Sequence, residues 1–180
     1  MTRVDFHFNV DDPLDYGCRL ARKIFRAGER AVFWCADAQM LSEWDRQLWT
    51  FSPQDFIPHV AADDALASQT PIVLSSSGIE RPDRGLLVSL GFGAGFGSSA
   101  ARDSGAMAAA QQPSPPQQGV DDIDATPALP PFFSRYERLI ELVSTAATER
   151  AAARTRWRFY RDRGYVIHTH EVGKIQPNKS

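Results

Sequence analysis

Strand-like and helix-like patterns alternate through the first half of the chain. Val4, Phe6 and Phe8 alternate with Asp5 and His7, the period of a strand with one apolar face. Asp12-Pro13 reads as an N-cap followed by proline at the first helical position, where its missing N–H costs nothing. Leu14, Gly17, Leu20, Ala21, Ile24 and Phe25 follow at helical spacing, and Gly28 is the natural stop. Ala31 to Cys35 is a continuous apolar run, as a strand covered on both faces requires. Asp37 can cap a second helix with Met40, Leu41, Trp44 and Leu48 inward. Pro71 to Leu74 and Leu86 to Leu90 are two further strands.

Beyond Gly91 the periodicity vanishes. Gly, Ala, Ser, Gln and Pro dominate as far as Pro130, and large apolar residues are sparse. Such a segment cannot bury enough surface to offset the ordering of its backbone, about 1–2 kcal/mol per residue. Residues 92–130 are therefore expected to be a flexible, disordered insertion. After it, Phe132, Tyr136, Leu139, Ile140 and Val143 recur at helical intervals, and Ala146 to Arg163 continues as an Ala- and Arg-rich helix ended by Gly164. Tyr165 to His170 reads as a last strand, and residues 173–180 as a frayed tail. Strands alternating with helices predict an α/β fold. The expected architecture is a single Rossmann-like three-layer domain, residues 1–91 and 131–172, with a mainly parallel central sheet.

Composition narrows the class. The chain has 180 residues, 43% hydrophobic and 23% charged, which is the usual globular mix and suits one core. No apolar run approaches the roughly eighteen residues of a membrane span, and the start, MTRVDFHFNVDDP, has no apolar leader segment. A net charge of −2 argues against a surface that grips many DNA phosphates, so no strong direct nucleic-acid binding is expected. Two cysteines are too few for a disulfide framework and point to a reducing, cytoplasmic setting.

Several tempting catalytic readings fail on spacing. Gly91, Gly93, Gly95 and Gly97 give G-x-G-x-G-x-G, not the dinucleotide-binding fingerprint, and no helical pattern follows. His168 and His170 share a strand face but lack a cluster of further ligands. Cys18 and Cys35 read as buried structural thiols, and Ser75, Ser76 and Ser77 lack the elbow of a nucleophilic serine. The sequence points to no catalytic residue, no metal and no cofactor.

Two other features carry chemistry. In the last helix Arg150, Arg154 and Arg161 recur at helical spacing around Trp157, with Arg158 close by. Guanidiniums bind carboxylates bidentately, and an aromatic among them can seat an apolar side chain. This suits an acidic peptide with an aromatic end, or equally a nucleic-acid strand. The plainer alternative is a solvated arginine face whose Trp packs into the core. The second feature is the Pro-bounded loop after helix two, with Trp49, Phe51 and Phe56. These aromatics either roof the core or form a docking patch.

At these positions the sequence resembles the chi subunit of the bacterial DNA polymerase III holoenzyme, an accessory protein of the clamp-loader complex. The resemblance is carried by Leu48-Trp49, by Asp55-Phe56-Ile57-Pro58-His59, by Leu86 to Leu90, and by the run from Val143 through Arg154, Trp157, Tyr160-Arg161 and Gly164-Tyr165. It spans most of the chain apart from the insertion and tail. It implies an α/β fold similar to nucleotide-binding domains, with no enzymatic activity. It also implies two partners: the psi subunit, and the acidic Pro-Phe-ending C-terminal tail of single-stranded DNA-binding protein. The family's basic tail-binding positions fall on Arg150 and Arg154, its aromatic position on Trp157 and its apolar contact on Val143. Its psi-facing loop falls on Trp49 and Phe56. The alternative reading is a small Rossmann-like nucleotide-binding enzyme. Val120 to Pro131, followed by Phe132-Phe133, has the acidic-then-Pro-Phe character of the tail and could fold back to compete for the Arg150–Arg154 site.

Overall fold

The computed structural model describes residues 1–52, 54, 56–77, 79–80, 83–91 and 128–173. The expected insertion, apart from Ala128 to Pro130, lies outside the described residues, as does the fold-back segment up to Pro127 and all of the expected frayed tail except Gly173.

The described chain runs β1 (Arg3–Val10), α1 (Pro13–Arg26), β2 (Ala31–Trp34), α2 (Ala38–Thr50), β3 (His59–Ala61), β4 (Ile72–Ser75), β5 (Leu86–Ser89), β6 (Arg138–Ser144), α3 (Ala147–Asp162) and β7 (Val166–Glu171), with a short 3₁₀ turn at Phe133–Arg135. The strands form one sheet of seven in the order β3-β4-β2-β5-β6-β1-β7. Every pairing is parallel. The expected α/β class with a mainly parallel central sheet is what the chain forms.

Local chemistry sets the helix ends. Asp12 Oδ1 accepts from the Leu14 and Asp15 amides at 2.9 and 3.0 Å, and Pro13 opens α1. Asp37 Oδ1 accepts from Gln39 and Met40 at 2.8 and 3.2 Å and starts α2. Gly28 and Gly164 follow α1 and α3 at φ +72° and +77°, a region that side chains with a Cβ avoid.

Alternate strand residues divide the core between two faces. Ala31, Phe33, Leu86, Val88, Ile140 and Leu142 pack under α1 and α2. Val32, Trp34, Leu87, Leu139 and Val143 pack with Phe133, Tyr136, Ala153 and Tyr160 on the α3 side. On the first face Phe33 stacks on Trp44 at 4.6 Å. Gly17 permits α1 to approach α2, since a Cβ there would lie 2.7 Å from Trp44 Nε1 and 2.9 Å from Leu90 Cδ2. Cys18 and Cys35 are buried, and burial raises their thiols to about 12 and about 11, so both are inert as nucleophiles.

Two expectations need correction, and two further features left no signal in the sequence. The helical reading of Tyr136 to Val143 is wrong: Arg138–Ser144 is strand β6, buried on both faces between β5 and β1. Glu141, buried in mid-strand, interrupts what would otherwise read as a continuous apolar run. β1 carries Val4, Phe6 and Phe8 on one apolar face as expected, and its other face is covered too, with Asp5 and His7 buried. Asp5 is held by Arg3 and Arg138, and His7 Nδ1 lies 2.8 Å from the Tyr16 hydroxyl. Phe25, expected inward, is exposed. β3 has only three residues and gave no pattern to read.

Candidate functional site

The arginine helix packs on the face of the sheet opposite α1 and α2. Beneath it is a cavity of about 200 Å³ lined by Phe6, Phe8, Val143, Arg150, Ala153, Arg154, Trp157 and Thr169. A change of strand register lies beside it. β1 pairs with β6 from Arg3↔Arg138 to His7↔Leu142 and resumes at Val10↔Ser144, so β1 carries one extra residue there. Asn9 takes φ +61° in this bulge, and its amide donates to Glu171 Oε1 at 2.8 Å. A bulge bends its strand locally. Here it falls where β1, β6 and β7 border the cavity.

The lining is chemically divided. Phe6, Phe8, Val143, Ala153 and Trp157 supply an apolar seat. Arg150 and Arg154, one turn apart, are exposed at its margin. Trp157 is half-buried, packs on the α3-side core and has the Arg161 guanidinium 5.1 Å from its ring centroid. Arg161 in turn donates to Asp162 Oδ1 at 2.7 Å. Such a site can take a carboxylate-bearing chain with one apolar side chain at its end.

Of the residues singled out in the sequence, Val143, Arg150, Arg154 and Trp157 therefore meet around one cavity. Arg161 stands over Trp157, and Arg158 is exposed and does not line the cavity. Trp157 both packs inward and borders the cavity, so the two sequence readings of it describe one residue. Phe6, Phe8, Ala153 and Thr169 were missed as lining residues. The alternation of Phe6 and Phe8 marked their shared face, but only tertiary structure brings that face under α3.

α3 is fixed to the sheet by polar contacts. Arg156 Nε donates to Glu141 Oε2 at 2.7 Å, and the Tyr160 hydroxyl donates to Glu141 Oε1 at 2.6 Å. All three side chains are buried. Burial first, and then the Glu141 carboxylate, push the Tyr160 phenol far up, so it stays a donor.

The aromatic loop lies on the other face, beyond α2. Trp49 and Phe56 are 56% and 67% exposed, unusual for side chains of this size. Their ring centroids are 5.7 Å apart, and Trp49 lies 4.5 Å from buried His59. Phe51 is half-buried against the core, with the Arg22 guanidinium 5.3 Å from its ring centroid. Phe51 thus covers the core, whereas Trp49 and Phe56 form an exposed pair. Asp55 lies outside the described residues.

A crevice of about 630 Å³ opens where β3 and β4 end, beside α2. Open parallel sheets often bind nucleotides in such a position. Its described lining includes Asp45, Asp63 and Ser75 to Ser77 but no basic side chain, a poor fit to phosphates. Gly93, Gly95 and Gly97 lie outside the described residues. No group of three or more metal-binding side chains occurs among the described residues, and no helix there is long and apolar enough to cross a membrane.

Known proteins resemble the chain over nearly its whole length. It matches the family described as "DNA polymerase III chi subunit, HolC" over residues 1–168. It is 31% identical to the DNA polymerase III subunit chi of Pseudomonas aeruginosa over 179 residues, which cover 97% of this chain and 100% of the relative. It is 25% identical to the DNA polymerase III subunit chi of Haemophilus influenzae over 162 residues, covering 88% of this chain and 87% of the relative.

Proposed function

The chain belongs to the DNA polymerase III chi subunit family, and from that premise we propose that it is a non-catalytic adaptor with two partner surfaces. One surface is the α3 cavity, which holds the acidic C-terminal tail of single-stranded DNA-binding protein. The other is the pair Trp49 and Phe56 with Phe51 beneath, which holds a psi subunit and so ties the chain to the clamp loader. Bridging the two keeps the clamp loader beside coated single-stranded DNA in the cytoplasm.

The observation that carries this reading is the divided cavity, with an apolar floor and two guanidiniums at its edge. The tail's terminal phenylalanine would enter the floor between Phe6, Phe8 and Val143. Its α-carboxylate and neighbouring acids would accept from Arg150 and Arg154. Hydrogen bonds to charged groups contribute about 1.5–3 kcal/mol each, and less where water screens them. The sum predicts micromolar binding that weakens with salt. Many tails on one coated strand would raise the effective concentration and make such an affinity sufficient.

The test is titration of a fluorescent acidic peptide ending in Pro-Phe against wild type and Arg154→Ala. The reading expects salt-sensitive binding to the wild type and a loss of about tenfold or more in the variant. Absence of binding at low salt would overturn it.

A further inference from the structure

We propose that Glu141, Arg156 and Tyr160 are positioning residues for the tail site: together they set the roll of α3 and so the aim of Arg150, Arg154 and Trp157. This rests on the tail-binding reading and deepens it.

α3 is poorly equipped to orient itself by apolar packing. Of its sixteen residues only Ala153, Arg156 and Tyr160 are buried. By contrast α1 buries Pro13, Leu14, Gly17, Cys18, Leu20, Ala21 and Ile24. Ala153 and Tyr160 are its only fully buried apolar side chains, with Trp157 and Phe159 packed beside them but partly exposed, and such contact holds the roll of a helix loosely because it is non-directional. No side chain caps α3 at Ala146 either. The end of the helix that carries Arg150 is tied to the strand by the Ser144 hydroxyl, which accepts from the Ala146 amide and donates to Glu149 Oε2, both at a long 3.3 Å.

The polar trio supplies direction. Arg156 and Tyr160 are four residues apart, hence on one helix face. Both bond the same carboxylate, one to each oxygen, at 2.7 and 2.6 Å. Two directional bonds separated by one helical turn fix both rotation about the axis and sliding along it. Glu141 is itself held in the middle of β6, and Val143, two residues further on the same face, lines the cavity. The anchor and the apolar floor thus belong to one strand. The cavity residues Arg150, Ala153, Arg154 and Trp157 lie within two turns of Arg156 on the same helix. A helix rolled by a fraction of a residue would carry the guanidiniums away from the cavity mouth.

Buried ion pairs can often be replaced by apolar residues of similar size without loss of stability, whereas removing one partner is costly. This separates positioning from mere support. The decisive variant is the double substitution Glu141→Leu with Arg156→Met in the full chain. The probe is the fluorescent acidic peptide ending in Pro-Phe, beside a control peptide ending in Pro-Ala. Thermal unfolding is read in parallel. The proposal expects the double variant to unfold cooperatively, at a temperature lowered only as far as the one Tyr160 hydroxyl bond lost with Glu141 accounts for. It also expects about tenfold weaker binding of the Pro-Phe peptide and a reduced preference for Phe over Ala. A variant that folds with wild-type affinity and wild-type preference overturns the proposal. Should the double variant fail to fold, Tyr160→Phe deletes only the hydroxyl and decides instead. Weakened binding with nearly unchanged unfolding supports positioning, and unchanged binding overturns it. If the wild type itself binds neither peptide, the tail-binding reading fails first, an outcome distinct from a variant that binds normally.

Discussion

The α3 cavity and the Trp49–Phe56 patch occupy opposite faces of one sheet and are held in different ways. α2, which presents Trp49, is capped by Asp37 and buries Met40, Leu41, Trp44 and Leu48 against the sheet. α3 has no side-chain cap at Ala146, and its fully buried residues are an alanine, a tyrosine and the arginine of a buried ion pair, with Trp157 and Phe159 partly buried beside them. The patch offers two exposed aromatic rings, whose contribution to binding follows the area covered and depends little on angle. The cavity offers guanidiniums, whose hydrogen bonds lose strength steeply when misaligned. A surface that works by area can stand on an ordinary amphipathic helix. One that works by charged hydrogen bonds needs a helix whose orientation is fixed, and a buried polar network does that better than grease.

The largest expected effect that would break this comparison comes from the patch. Trp49→Ala with Phe56→Ala should abolish co-purification with a co-expressed psi subunit. Both side chains are mostly exposed, so stability should change by less than about 1 kcal/mol, and tail-peptide affinity should stay at the wild-type value. Loss of tail binding in that variant would mean the surfaces are one site or are coupled through the sheet.

A smaller effect separates charge at the site from stability of the fold. His7 is held neutral by burial, reinforced by His170, with its pKa lowered to about 4 from the usual 6.5. Between those values the unfolded chain binds a proton that the folded chain refuses. Stability should therefore fall as pH drops from about 6.5 towards about 4, and be independent of this group above that window. Denaturant melts at pH 7 and pH 5.5 should differ in wild type by more than in His7→Gln, while peptide affinity at pH 5.5 follows the peptide's own carboxylates. Equal pH dependence in the two proteins would remove His7 as the cause.

Much of the scaffold was readable along the chain, because its signals are local. Asp12-Pro13 and Asp37 mark helix starts by their own side-chain bonds, and Ala31 to Cys35 announces a buried strand by continuous apolarity. The failures share a cause in distance along the chain. The burial of Asp5 left no local signal because its partner Arg138 is 133 residues away. β6 looked helical because Glu141 broke the apolar run, and its partners Arg156 and Tyr160 lie on the following helix. Arg150, Arg154 and Trp157 were visible as a helical face, whereas Phe6, Phe8 and Thr169 became part of the same cavity only through the β1–β7 pairing.

The most direct test of the two-surface reading follows the indole N–H signals of the four tryptophans during titration with the acidic Pro-Phe peptide. Trp157 lines the α3 cavity, whereas Trp49 is exposed on the opposite face. The Trp157 signal should shift progressively and saturate, while the Trp49 signal stays in place. A Trp49 signal that moves while Trp157 stays still would contradict the assignment of the tail to the α3 cavity.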